Sequence, residues 1–217
     1  MSSNPSFRAI IFDMDNTLIQ STIDFVWMKR AALSFLQDRR LLPEGYSAEH
    51  KTTAQVIEDA RKTSAGAEEW MPLIWEVLAE VEREGMKDAG PEPGADKILE
   101  QLHGRYPLVV LTNNAYQAAI TALEHTGMIA YLDHVVGRDQ IPKLKPSCSG
   151  VRYIHGLYPD IEPAEWLSIG DSWIDGRAAI RAGSRFLAYR GDRSKFAREK
   201  VEPIGWIDQL EDIIQYL

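Results

Sequence analysis

The stretch Ile10-Ile11-Phe12-Asp13-Met14-Asp15-Asn16-Thr17 decides how the rest of the chain is read. An apolar run ends there in two carboxylates, two residues apart. In extended backbone, residues i and i+2 face the same side. Asp13 and Asp15 therefore converge on a point just past a strand, where open α/β sheets bind their ligands. Two adjacent carboxylates repel each other unless a positive charge lies between them or one keeps its proton. A hard cation such as Mg2+, which prefers oxygen ligands, would settle that repulsion.

Outward from this stretch the chain changes character twice. Residues 7–12 read as a first strand, apolar enough to be central in a sheet. From 20 to 90 the apolar positions recur at helical spacing: Phe25, Met28, Ala32, Phe35 and Leu36, then Trp70, Ile74, Val77, Leu78 and Val81. Residues 48–62 also read as helix, and no good strand is expected in this segment. Pro91-Glu92-Pro93-Gly94 closes it with a stiff turn. Strands then alternate with helices. Strands are expected at 108–111, 134–136, 166–169 and 185–189. Helices are expected at 95–102, 117–125, 149–157, 174–182 and 207–217. Such alternation implies parallel βαβ units. The expected fold is α/β, with a Rossmann-like parallel-sheet core from residues 1–19 and 91–217 and an inserted all-helical domain over 20–90. Three expected strands end in reactive polar residues, Asp13/Asp15, Thr112/Asn113 and Asp171. A parallel sheet gathers such ends at one edge.

Composition sets the outer bounds. The 217 residues are 45% hydrophobic and 26% charged, ordinary for a soluble globular protein. The net charge of -8 argues against a general nucleic-acid or anionic-membrane surface. A single cysteine, Cys148, allows no intrachain disulfide and suits a reducing, cytoplasmic setting. No apolar run approaches the roughly 18–20 residues of a membrane helix. Met1 to Ser6 is polar and short, unlike a signal peptide. The five histidines are dispersed without a metal-binding spacing, which speaks against zinc.

Asp13-Met14-Asp15-Asn16-Thr17 resembles the D-x-D-x-T motif of the haloacid dehalogenase superfamily of phosphohydrolases. Three further motifs of that superfamily have counterparts in order. Thr112 resembles the Ser/Thr after the next core strand, and Lys145, followed by Pro146, resembles the motif lysine. Gly170-Asp171-Ser172-Trp173-Ile174-Asp175 resembles G-D-S-x-x-D. Lys143 competes with Lys145 but lacks the following proline and reads as a solvated loop charge. The position of the helical segment matches the C1-type cap of phosphoglycolate-phosphatase-like members, where the cap closes over the site and chooses the substrate.

The resemblance implies a Mg2+-dependent phosphatase acting on a small phosphorylated metabolite through an aspartyl-phosphate. Asp13 would be the nucleophile and Asp15 the general acid and base. The Thr112 hydroxyl, the Asn113 backbone N–H and the Lys145 ammonium would hold the phosphoryl oxygens. Asp13, the Asp15 backbone carbonyl and Asp171 would ligate the metal directly, with Asp175 in the outer shell. The dehalogenase branch lacks an aspartate where Asp15 stands, so phosphate-ester chemistry is expected. The rivals are a phosphomutase of the same superfamily and a catalytically weak binding or regulatory module. A phosphonate hydrolase is disfavoured because no cap lysine for a Schiff base is identifiable. A serine esterase built on Gly170-Asp171-Ser172 would need a later histidine partner, and none follows. Cys148 and Arg152 are too close for a cysteine-phosphatase loop. Trp27, Trp70 and Trp75 are expected in the core of the helical segment, and Lys29, Arg30, Arg39, Arg40, Arg61 and Lys62 on a solvated face. The chain is expected to act as a monomer or homodimer.

Overall fold

The computed structural model of the chain describes residues 7–64, 66–87 and 89–217. The reading of Met1 to Ser6 therefore lies outside the described residues. A six-stranded, all-parallel sheet organises the larger part. Its strands are β1 (Ala9–Phe12), β4 (Leu108–Leu111), β5 (His134–Val136), β6 (Trp166–Gly170), β7 (Arg185–Tyr189) and β8 (Gly205–Ile207). They lie in the order β5-β4-β1-β6-β7-β8. The chain starts in the middle, builds one side with β4 and β5, then crosses back to add β6, β7 and β8. That order is doubly wound, and its switch point lies beside β1.

Helices α4 (Ala95–Leu102), α5 (Tyr116–His125), α6 (Ser149–Leu157), α7 (Trp173–Ala182) and α8 (Arg193–Arg198) occupy the connections. They bury both sheet faces, which is why β1, β4 and β6 are apolar at every position but Ser168 and Gly170, with every residue buried. On one face Ala9, Ile11, Val109, Leu111 and Val136 pack with Val151 and Ile154 of α6 and Ala178 of α7. Each buried Val, Leu or Ile side chain among these contributes about 1.5–3 kcal/mol. The core holds the strand ends rigidly, and the strand ends carry the polar residues.

Between β1 and β4 the chain leaves the sheet and returns. The outgoing strand β2 (Ile19–Gln20) pairs antiparallel with the returning β3 (Gly90–Pro91), Ile19 opposite Pro91 and Gln20 opposite Gly90. The chain divides into two compact units, Met1–Ser21 with Ala89–Leu217, and Thr22–Asp88. The second unit consists of helices α1 (Phe25–Asp38), α2 (Thr53–Thr63) and α3 (Ala67–Met86), with no strand among its described residues. The Asp24 side chain caps α1 by accepting from the Trp27 N–H at 2.8 Å. The last turn of α3 is tied to the entry segment. The Gly85 carbonyl accepts from the Thr22 N–H at 2.9 Å and the Thr22 hydroxyl at 3.1 Å. A Cβ at Gly85 would lie 2.6 Å from Ile23 Cα, so only glycine permits that approach.

Four expectations need correction. The middle helix starts at Thr53 rather than Ala48. Thr52 and Gln55 form a capping box, with Gln55 N–H to Thr52 Oγ1 at 3.2 Å and Thr52 N–H to Gln55 Oε1 at 2.8 Å. Trp27 is 51% exposed and stands off the buried stripe of Met28, Ala32, Phe35 and Leu36, whereas Trp70 is buried. Lys29 is not purely solvated, because its ammonium donates to the Ala48 carbonyl at 2.7 Å. The closing helix expected over 207–217 is instead the end of β8 followed by a 3-10 helix, Leu210–Tyr216. Leu210 and Ile213 are the buried residues there, and their three-residue spacing matches the 3-10 period.

Candidate active site

The sheet register sets the first carboxylate. The Asp13 N–H donates to the Ile169 carbonyl at 2.8 Å, so the chain stays paired with β6 one residue past β1. On the other side the Thr112 N–H donates to the Val136 carbonyl at 3.0 Å, one residue past β4. Asp171 follows β6 directly. Asp13, Thr112 and Asp171 thus leave three strands at the same edge.

Lys145 comes from the loop between β5 and α6 and is 4% exposed. Its ammonium donates to Asp13 Oδ1 at 2.5 Å and the Leu111 carbonyl at 2.8 Å, and pairs with Asp175 Oδ1 at 2.7 Å. Lys143 stays exposed. Asp175 lies in the first turn of α7, where its other oxygen accepts from the Ser172 N–H at 3.1 Å. Asp175 thus uses one oxygen at the helix terminus and the other on Lys145. A Cβ at Gly170 would come within 2.8 Å of the Asp175 side chain, so this glycine makes room for the carboxylate.

Asp13, Asp171 and Asp175 each present one oxygen within 4.8 Å of the other two. The Asp15 carboxylate is not one of this trio. Its Oδ2 accepts from the Asn114 side-chain N–H at 2.7 Å. Burial and the neighbouring Asp13 charge push Asp15 up to about 7. Burial, then Asp13 and Asp175, push Asp171 up to about 8, and burial and Asp13 push Asp175 up to about 6. Burial would lower Lys145, but Asp13 and Asp175 outweigh it and raise the ammonium above its usual range. One cation set among four carboxylates leaves a negative excess. An all-oxygen donor set with that excess fits a hard divalent cation such as Mg2+.

Two neighbouring side chains carry geometry that the strand-end pattern does not reveal. Asn113 clamps the backbone of Lys145, its Oδ1 accepting from the Lys145 N–H at 2.8 Å and its Nδ2 donating to the Lys145 carbonyl at 3.1 Å. Asn114 holds Asp15. Behind both lies Arg138, 3% exposed, with Nη1 on the Asn113 carbonyl at 3.2 Å and its N–H on the Asn114 carbonyl at 2.8 Å. The available signal is the unbroken polar run Thr112-Asn113-Asn114 after a buried strand, but its partners are remote in sequence.

A family model described as haloacid dehalogenase-like hydrolase matches residues 10–189, from β1 to the end of β7. The chain belongs to the haloacid dehalogenase-like hydrolases. Among similar proteins, a phosphoglycolate phosphatase of Rhodobacter capsulatus is 29% identical over 195 residues, covering 83% of this chain and 83% of that one. A phosphoglycolate phosphatase of Chromobacterium violaceum is 29% identical over 188 residues, covering 83% and 84%. A solved haloacid dehalogenase-superfamily hydrolase, subfamily IA, from Geobacter sulfurreducens aligns with a TM-score of 0.63. It is 22% identical and covers 97% of this chain and all of that chain. At that identity the structure bears on the fold alone. This haloacid dehalogenase-like hydrolase is thus an enzyme with an α/β Rossmann-like core. Among its described residues no helix is long and apolar enough to cross a membrane.

Proposed function

We propose that the chain is a Mg2+-dependent phosphatase of the cytoplasm that hydrolyses a small phosphate monoester through an aspartyl-phosphate on Asp13. The observation that carries this reading is the Lys145 ammonium held between Asp13 and Asp175 beside Asp171, at the carboxyl edge of a parallel sheet. A carboxylate next to a fixed cation can meet an anionic phosphoryl group without prohibitive repulsion.

In the first step an Asp13 oxygen attacks phosphorus. The P–O bond to the alcohol breaks, and Asp15 gives its proton to the leaving oxygen. An acid pushed up to about 7 is matched to that task near neutral pH. In the second step the Asp15 carboxylate takes a proton from water, which attacks phosphorus and frees Asp13. The Thr112 hydroxyl accepts the Asn114 N–H at 3.1 Å, so its own proton can donate to a phosphoryl oxygen. Lys145 and the Asn113 backbone N–H complete the anion-binding set. Asp13, the Asp15 carbonyl and Asp171 would hold Mg2+, with Asp175 steadying a water and Lys145. When bound, the ion supplies positive charge to the transferred phosphoryl group. The helical unit is assigned as the cap that selects among esters. The relatives named as phosphoglycolate phosphatases make 2-phosphoglycolate the first compound to try.

The test is phosphate release from a panel of phosphorylated metabolites, in Mg2+ and in EDTA, by the parent protein and by Asp13→Asn. Metal-dependent release that the variant lacks is expected. More than a few per cent of activity in a folded Asp13→Asn protein would remove Asp13 as nucleophile. Isomerised sugar phosphate without free phosphate would assign the mutase activity instead.

A further inference from the structure

The side chain of Asn114 is 4% exposed, and it reaches across the site to a residue far away in the chain. Its Nδ2 lies 2.7 Å from Asp15 Oδ2. The residue is held by its own backbone on both sides, N–H to Thr112 Oγ1 at 3.1 Å and carbonyl to the Arg138 N–H at 2.8 Å. An amide nitrogen can only donate, so Asp15 Oδ2 is fixed as an acceptor. The other oxygen, Oδ1, is buried and has no hydrogen-bond partner among the described residues. The Ser21 hydroxyl, whose oxygen also lacks a partner, lies close enough to favour the ionised Asp15 but makes no hydrogen bond of ordinary geometry to it. A buried acceptor left without a partner is costly, and such atoms are rare in folded proteins outside working sites.

We propose that Asn114 is a positioning residue for proton transfer: by holding Asp15 Oδ2 it leaves Oδ1 as the atom that exchanges the proton. This rests on the phosphatase reading above. As the Asp13–phosphorus bond forms and the ester P–O bond breaks, the proton on Oδ1 passes to the leaving oxygen. The charge left on Asp15 spreads to Oδ2, where the Asn114 N–H already sits. Hydrogen bonds to an ionised acceptor are roughly twice as strong as neutral ones, so the contact tightens as the proton leaves. Asn114 touches no reacting atom in this scheme and acts through Asp15.

The experiment compares Asn114→Leu, which keeps the volume and loses the donor, and Asn114→Ser with the parent, in Mg2+. Rapid-mixing bursts of alcohol release are followed for 4-nitrophenyl phosphate, whose leaving group needs little protonation, and for 2-phosphoglycolate, whose alkoxide needs a full proton. The expected result is a burst rate slowed roughly 10- to 100-fold for the alkyl ester, within the range of general acid catalysis. The aryl ester should slow less than about threefold, with KM for both nearly unchanged. Equal slowing of both esters, or of neither, overturns the assignment, as does loss of folding in both variants, which would make the side chain structural. If the parent protein turns over no ester of the wider metabolite panel, the phosphatase reading itself falls, and this inference with it.

Discussion

Replacing Lys145 with methionine keeps most of the side-chain volume and removes the ammonium between Asp13 and Asp175. Lys145 is 4% exposed, and the two carboxylates it pairs with are 10% and 6% exposed at their side chains. Removing one partner of a buried ion pair costs about 3–5 kcal/mol, because it strands the remaining charge. For a chain of this size about 1 kcal/mol moves the melting temperature by roughly 2–4 °C. The Lys145→Met protein in EDTA at pH 8.5 should therefore melt roughly 6–20 °C below the parent. The deficit must shrink on acidification, and the sign follows from linkage. Lys145 lowers both Asp171 and Asp175, so without it their folded pKa values rise further above the unfolded ones. A carboxyl raised on folding stabilises at low pH and loses that contribution as pH rises through the folded value. The variant thus recovers toward the parent between pH 8.5 and 5. Lys145 itself stays charged throughout that window. Added Mg2+ should also restore part of the loss. Thermal unfolding followed by circular dichroism at the two pH values, with and without Mg2+, reads all of this. A deficit below about 2 °C at pH 8.5, or an identical deficit at pH 5, would refute the ion-triad argument.

Two further outcomes follow from the same geometry. Gly170→Ala puts a methyl group within 2.8 Å of Asp175, so the carboxylate must leave the position in which it meets both Lys145 and the Ser172 N–H. Turnover should fall about tenfold or more with the fold intact, and unchanged kinetics would show that Asp175 has slack. Mg2+ binding to the metal-free protein should release a proton, because Asp171, pushed up to about 8, holds one near neutral pH. Affinity should rise about tenfold per pH unit between pH 6 and 8 and level off above. Calorimetric titration in two buffers of different ionisation heat measures the protons, and affinity independent of pH would sink the prediction.

Strand ends are legible in this sequence because each is a short apolar run broken abruptly by a polar residue. Asp13 after Ile10-Ile11-Phe12, Thr112 after Val109-Val110-Leu111 and Asp171 after Ile169-Gly170 all show that break. The sheet follows from the alternation, since parallel strands need helical crossovers. Other features depend on partners that no local pattern names. Asn113 and Asn114 look alike in sequence, yet one serves Lys145 and the other Asp15, and only the fold tells them apart. The start of α2 is written locally, in Thr52 and Gln55, but apolar periodicity alone overruns it. The chain terminus shows a period near three that a window tuned to 3.6 reads as α-helix.

The paired strands β2 and β3 place the outgoing and returning chain about 4.8 Å apart. Ends that close could be bridged by a turn of two to five residues. They equally accept a longer segment, since the entropy of closing a loop grows only with the logarithm of its length. Residues 22–88 thus behave as a graft on the sheet. A lineage could lengthen, trade or prune that graft without disturbing the register that aligns Asp13, Thr112 and Asp171.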